Sequence, residues 1–213
     1  MCIRDSSFGG CDLLIDYIFK SRKKGFYLDV GCQHPVSNNN TYLLYKRGWY
    51  GINIDLDPKN IRLFNLERPD EINICKCVSS DNSEKDLFFF HPGSPINSLE
   101  KKTIKNKSNF TLKKIKTITL NSILEEHKIR DIDYFYLDVE GHELNVLKGS
   151  INAIEFIRVI QFEFGGCNLD TRTFFKDFWY FFDKFNFEIF RLTPQGLKKV
   201  EKYTENLEYF ITT

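Results

Sequence analysis

Alanine is nearly missing from this 213-residue chain: Ala153 stands alone, beside one methionine and six prolines, against 21 phenylalanines. Lys, Asn, Ile and Tyr are also abundant, a bias of coding composition that bounds the class and no more. Excess charge of either sign is absent too. A formal net charge of +1 excludes a general nucleic-acid binder, which needs a basic excess. No run approaches the roughly 20 apolar residues of a membrane helix. The first residues lack a signal-peptide core, so a cytoplasmic setting is the default expectation. Six cysteines, at 2, 11, 32, 75, 77 and 167, form no C-x-x-C pair, and the chain is too long for a disulfide scaffold. Cys75 and Cys77, two apart in a strand-like run, read as core thiols sharing one face. With 42% hydrophobic and 15% aromatic residues, disorder is excluded as well.

What is present alternates strand-like and helix-like stretches, the mark of an α/β domain. Residues 12–22 read as an amphipathic helix with Leu13, Leu14, Tyr17 and Ile18 on one face. They belong to an N-terminal segment, 1–24, ahead of a single domain over 25–213. Strands are predicted at 26–30, 50–55, 72–78, 87–90, 117–120, 132–139, 156–164, 187–192 and 207–211, seven of them as the main sheet. Helices are predicted at 40–47, 58–66, 121–128, 142–148 and 171–185. Gly48 and Gly149 follow two of these as stop signals, and Pro58 opens another. Residues 99–116 hold seven Lys and one Glu, which predicts a mobile, solvated excursion. A doubly wound open sheet fits this order.

In such sheets ligands sit outside the carboxyl ends of the strands, so the residues there carry the information. They are Asp29 and Gly31, then Asp55 and Asp57, then Ser79 and Ser80, then Asp138 and Glu140, and finally Glu163. The first turn lacks a full G-x-G-x-x-G, which argues against a dinucleotide. Gly31 still lets a ligand approach the backbone, while Asp29 places negative charge where a phosphate would sit. Asp55 stands where Rossmann-type domains bind a ribose diol; Asp57, next to Pro58, fits a helix cap. The densest signal is Tyr136-Leu137-Asp138-Val139-Glu140-Gly141-His142-Glu143. Four ionisable groups within six residues at the end of a buried strand are unfavourable unless they bind something. The plainer reading is a capping cluster with one solvated histidine.

These residues resemble the FkbM family of S-adenosylmethionine-dependent methyltransferases. The resemblance rests on Phe26-Tyr27-Leu28-Asp29-Val30-Gly31 and on Asn39-Asn40-Thr41-Tyr42, followed by Lys46-Arg47-Gly48-Trp49-Tyr50-Gly51-Ile52-Asn53-Ile54-Asp55. It continues through Ile96-Asn97-Ser98, Leu137-Asp138-Val139-Glu140-Gly141-His142-Glu143 and Gln161-Phe162-Glu163-Phe164. It implies a Rossmann-like class I methyltransferase fold: a seven-stranded, mostly parallel sheet with an antiparallel last strand and helices on both faces. It also implies S-adenosylmethionine as cofactor, with Asp29 and Gly31 at its methionine part, Asp55 on the ribose, Ser79 near adenine, and Asp138 among the cofactor-binding residues. Pro35 stands where many methyltransferases carry a second loop glycine, so the first loop is expected to take its own path.

The implied reaction is O-methylation of a hydroxyl on a sugar, glycan or natural-product acceptor. Such a hydroxyl is a poor acid and needs a nearby base or metal ion. His142 is the first candidate base, with Glu140 and Glu143 as alternatives. His34, Asn40, Asn97 and Glu163 are candidates for shaping the acceptor pocket. Asp138, Glu140, Glu143 and Glu163 could together supply oxygen ligands to Mg2+, though without a diagnostic spacing. The Lys-rich stretch would suit a nucleotide- or lipid-linked acceptor; a solvated loop is its plainer reading. The alternatives from other classes are a Rossmann-type oxidoreductase and a non-catalytic binding module of the same fold.

Overall fold

The computed structural model describes residues 10–101, 110–193 and 196–209. Its elements in chain order are α1 (Cys11–Ile18), β1 (Phe26–Val30), α2 (Tyr42–Lys46), β2 (Tyr50–Asp55), α3 (Pro58–Glu67), β3 (Ile72–Cys75), β4 (Cys77–Val78), β5 (Glu84–Phe89) and β6 (Thr111–Ile118). Then come α4 (Leu120–Glu126), β7 (Ile132–Leu137), α5 (Glu143–Lys148), β8 (Ile157–Phe162), α6 (Gly166–Thr171), α7 (Phe175–Asp183), β9 (Phe190–Thr193) and β10 (Gly196–Lys199).

Five strands form a parallel sheet in the order β3-β2-β1-β7-β8. β1 is central because its side chains are apolar or internally bonded on both faces, as parallel strands require. Strand alternation sends Leu28 and Val30 into the larger core with Ile52, Ile54, Phe135 and Leu137. On the opposite face Tyr27 and Tyr134 pack with Ile15, Phe19, Leu44 and Trp49. A second, three-stranded sheet has the order β4-β6-β5, and β9 and β10 pair only with each other among the described residues.

The structure corrects several expectations. In α1 the buried face is Asp12 and Ile15, while Leu13, Tyr17 and Ile18 are exposed. Ile15 and Phe19 are one helical turn apart, and Phe19 meets the Trp49 ring edge-on at 5.0 Å. The strand expected over 72–78 breaks at Lys76, whose N–H turns back to Asp55 O at 3.0 Å. Cys75 is therefore exposed and Cys77 buried, so the two thiols do not share a core face. The Lys-rich excursion is in part regular structure. Residues 111–116 belong to the eight-residue β6, which pairs antiparallel with β5; residues 102–109 of that stretch lie outside the described residues. Lys114 lies 2.6 Å from Asp86 and Lys113 covers the Phe89 ring, so these lysines line a strand by pairing across it.

The aromatic helix expected over 171–185 is shorter, α7 over Phe175–Asp183; Thr171 instead ends α6, which is closed at Arg172 with φ +55°. In place of a strand at 207–211, Glu205–Glu208 is a turn of 3-10 helix; residues 210–213 lie outside the described residues. Glu208 takes up the first N–H groups of α7, from Phe175 at 2.7 Å and Lys176 at 3.0 Å. That bond set needs a helical turn rather than an extended edge.

Candidate active site

β1, β2 and β7 end side by side, and a cavity of about 570 Å3, counting its open mouth, lies beyond their carboxyl ends. Val30, Ile54, Val78 and Val139 give it apolar walls, and three acids, Asp55, Asp138 and Glu140, also line it. β1 closes on Gly31, whose φ of +83° suits glycine. A side-chain carbon there would fall 1.7 Å from Asp138 O, so the glycine is required by the close approach of β1 to β7. Asp138 N–H donates to Val30 O at 3.0 Å, which fixes that approach.

Asp55 ends β2 almost wholly buried. Its two oxygens accept Gln33 N–H at 2.9 Å and Asp57 N–H at 2.7 Å. Burial pushes its carboxyl up to about 6, against the pull of these bonds. Asp57 is the N-cap of α3, accepting Lys59 N–H at 2.9 Å. Its other oxygen accepts Gly93 N–H at 2.6 Å and the Asn97 amide at 3.3 Å. Asn97 thereby reaches the cavity from a segment, residues 93–100, that covers it.

At the end of β7 the backbone takes two successive left-handed conformations, φ +59° at Glu140 and +99° at Gly141. Burial raises the Asp138 carboxyl well above its usual range, and the neighbouring Glu163 and Glu140 charges add to it. The Tyr136 hydroxyl donates to Asp138 at 3.1 Å. Cys167 Sγ lies 3.2 Å from a Glu140 oxygen. Glu143 is buried, and one of its oxygens accepts Val139 N–H at 3.0 Å and Gly141 N–H at 3.1 Å; burial lifts its carboxyl to about 7. It builds the turn and does not line the cavity. His142 does line it, yet both ring nitrogens are engaged: Nε2 with Ser79 Oγ at 2.9 Å and Nδ1 with Glu100 at 2.6 Å.

Of the residues expected from sequence, Gly31, Asp55, Asn97, Asp138, Glu140 and His142 meet at one cavity. Others stand behind it. Asp29 is wholly buried, and its carboxylate accepts Thr41 Oγ1 at 2.8 Å and the Asn39 amide at 3.1 Å. His34 Nδ1 accepts Val36 and Ser37 N–H at 3.1 and 3.0 Å, a turn role. Asn40 is buried, Ser79 backs His142, and Glu163 adjoins Asp138 from the end of β8, where its N–H donates to Leu137 O at 3.2 Å. The four carboxylates considered for Mg2+ do not converge: among the described residues no group of three or more His, Cys, Asp or Glu is arranged to hold a metal ion.

Three residues escaped the sequence reading. Gln33 supplies a backbone N–H to Asp55 from a positive-φ position, and nothing in its side chain announces that. Glu100, the one acid heading a lysine run, was the only visible trace of its ion pair. Arg68 is fully buried and bonds Asn39 and Thr41 at 2.7 and 3.0 Å. It thus supports the loop under Asp29, although at the end of a helix it reads as a solvated cation.

A family model for the methyltransferase FkbM domain matches residues 29–189. The chain belongs to the FkbM methyltransferase family. No curated protein and no solved structure gives a significant match. The FkbM match begins on Asp29 in β1 and ends on Ile189, so it contains every residue that lines the cavity, while the β9–β10 hairpin follows it. This FkbM-family methyltransferase has a mostly parallel central sheet of five strands, with helices packed on it. Among the described residues no helix is long and apolar enough to cross a membrane.

Proposed function

We propose that this FkbM-family methyltransferase uses S-adenosylmethionine to methylate a hydroxyl of a sugar or natural-product acceptor. The observation that carries the reading is the set of three acids, Asp55, Asp138 and Glu140, in one apolar-walled cavity at the strand ends. Like charges gathered in a poorly solvated place repel one another, and a cationic ligand relieves that repulsion. S-adenosylmethionine fits these requirements, with an ammonium, a sulfonium and a ribose diol on one molecule, and it supplies an activated methyl group when bound.

In this reading Asp55 receives the ribose hydroxyls. Its oxygens are already oriented by the Gln33 and Asp57 N–H groups and by the Asn60 side chain, which leaves accepting capacity for a ligand on one of them. Asp138 faces the cationic part. Asp29 acts from below, holding the loop that follows Gly31 through Thr41 and Asn39. Asn97 shapes the edge of the cavity, its amide holding residues 93–100 through Asp57 and the His91 carbonyl.

The acceptor hydroxyl must lose its proton as the new bond forms. His142 has both nitrogens bonded within the protein, so the proton is assigned to the Glu140 carboxylate. The seven-stranded sheet of the class I fold, with its last strand antiparallel, remains part of the proposal beyond the five parallel strands described. Titration calorimetry with S-adenosylhomocysteine tests the reading: one-site binding is expected, and no heat at millimolar ligand would overturn it. Labelled methyl transfer onto a panel of glycan acceptors then tests the acceptor class.

A further inference from the structure

Residues 93–100 roof the cavity, with Ser94, Asn97, Ser98 and Leu99 among its lining. Ser98 bridges the roof to β5 through paired backbone bonds with Phe88, and three further anchors hold it. Asp57, beyond β2, takes Gly93 N–H and the Asn97 amide. The backbone after β7 takes Ser98 Oγ–H, shared between Val139 O at 3.3 Å and Glu140 O at 3.2 Å. The third anchor is Glu100, whose carboxylate lies 2.6 Å from His142 Nδ1, with the two side chains 27% and 7% exposed.

An ionised carboxylate only accepts hydrogen bonds, so Nδ1 carries the hydrogen. Asn145 Nδ2, 3.2 Å from the same nitrogen, is the longer and weaker contact. Nε2 is then the accepting nitrogen, and the hydroxyl of Ser79, a residue with no exposed surface, donates to it at 2.9 Å. The imidazole is thus held between the roof and the residue following β4, while its own backbone caps α5. A histidine with a committed tautomer and two satisfied nitrogens acts as a structural tie.

We propose that Glu100 is a positioning residue: through His142 it clasps the roof over the cavity and sets how fast the ligand beneath it exchanges. The second half of this statement rests on the methyltransferase reading; the first does not. The clasp connects the roof to α5, the helix that opens directly after the Asp138–Gly141 turn, so the roof and the acid cluster move together.

The test reads amide hydrogen exchange in the ligand-free protein at Ser98, which donates to Phe88 O, and at Phe90, which donates to Asn97 Oδ1. Glu100→Ala and His142→Gln should each speed exchange at both amides about tenfold, as expected for losing one hydrogen bond to a charged group. The double variant should be no faster than either single one. Ring nitrogen-15 shifts should show His142 with its hydrogen on Nδ1 in the wild type and on Nε2 in Glu100→Ala. Glu100→Gln, which keeps an accepting oxygen, should retain the wild-type tautomer. Unchanged exchange in a folded Glu100→Ala, single effects that multiply in the double variant, or an unmoved tautomer would each overturn the clasp. S-adenosylhomocysteine should leave Glu100→Ala about ten times faster than the wild type; equal rates would overturn control of exchange. A wild type that binds no S-adenosylhomocysteine would instead sink the methyltransferase reading, and the exchange data would still decide the clasp.

Discussion

Asp55 and Glu140 both line the cavity with acid side chains, and the proposed reaction asks different things of them. Asp55→Asn keeps the size of the side chain and replaces one accepting oxygen by a donor. It should weaken S-adenosylhomocysteine binding about tenfold or more in calorimetry, since a hydrogen bond to a charged group is lost. Glu140→Gln should leave that binding within a few fold and lower kcat by about 100-fold or more, the usual contribution of a general base. Equal losses of affinity in both variants would show that Glu140 holds ligand and moves no proton. Asp138 differs again: burial raises its carboxyl first, and the neighbouring charges of Glu163 and Glu140 add to that rise.

Among the elements, β1, β2 and β7 could be read directly from the chain because buried parallel strands are short apolar runs that end on turn residues. The site was legible to the same extent: Gly31, Asp55, Asp138, Glu140 and His142 lie at those ends. What stayed hidden depended on partners far away in sequence. The outward turn of Leu13 and Tyr17 follows from Phe19 packing on Trp49, and Lys113, Lys114 and Lys116 sit in a strand because β5 offers acid and aromatic partners. Arg68 is the clearest case. Its guanidinium bonds Asn39, Thr41 and the Pro35 carbonyl, lies 3.7 Å from Glu71, and is flanked by the rings of Tyr42, Tyr45 and Phe64. Arg68→Met should cost about 3–5 kcal/mol in urea unfolding, because Glu71 would keep its buried charge without the partner. A loss below about 1 kcal/mol would mean that the network under Asp29 is not what fixes the loop.

For the molecule as a whole, buried carboxyls set the response to pH. Asp55 stands at about 6 and Glu143 at about 7, and burial raises Asp29 and Glu71 in the same direction. The folded state therefore holds protons that the unfolded chain has lost, and stability is full below the unfolded values near 4 and falls as pH rises through 6 and 7. Asp81, held down to about 2 by Ser83 and Lys85, acts only below that window. Without ligand, Tm should drop by several degrees between pH 5 and pH 8, and Asp55→Asn should flatten the curve. A Tm that rises over this interval would contradict the assignment.

The close approach of Gly31 to Asp138 also bears on how the protein is made. β1 and β7 are far apart in the chain, with Phe26 N–H reaching Asp133 across 107 residues. Contacts of such separation form late, after the loop between them has closed. A nascent chain that has left the ribosome as far as residue 130 carries Gly31 and Asp55 but has no β7 to complete the cavity. Ligand affinity therefore arises only after the second half of the sheet is synthesised, and bound ligand in a pulse-labelled sample marks chains that have completed it.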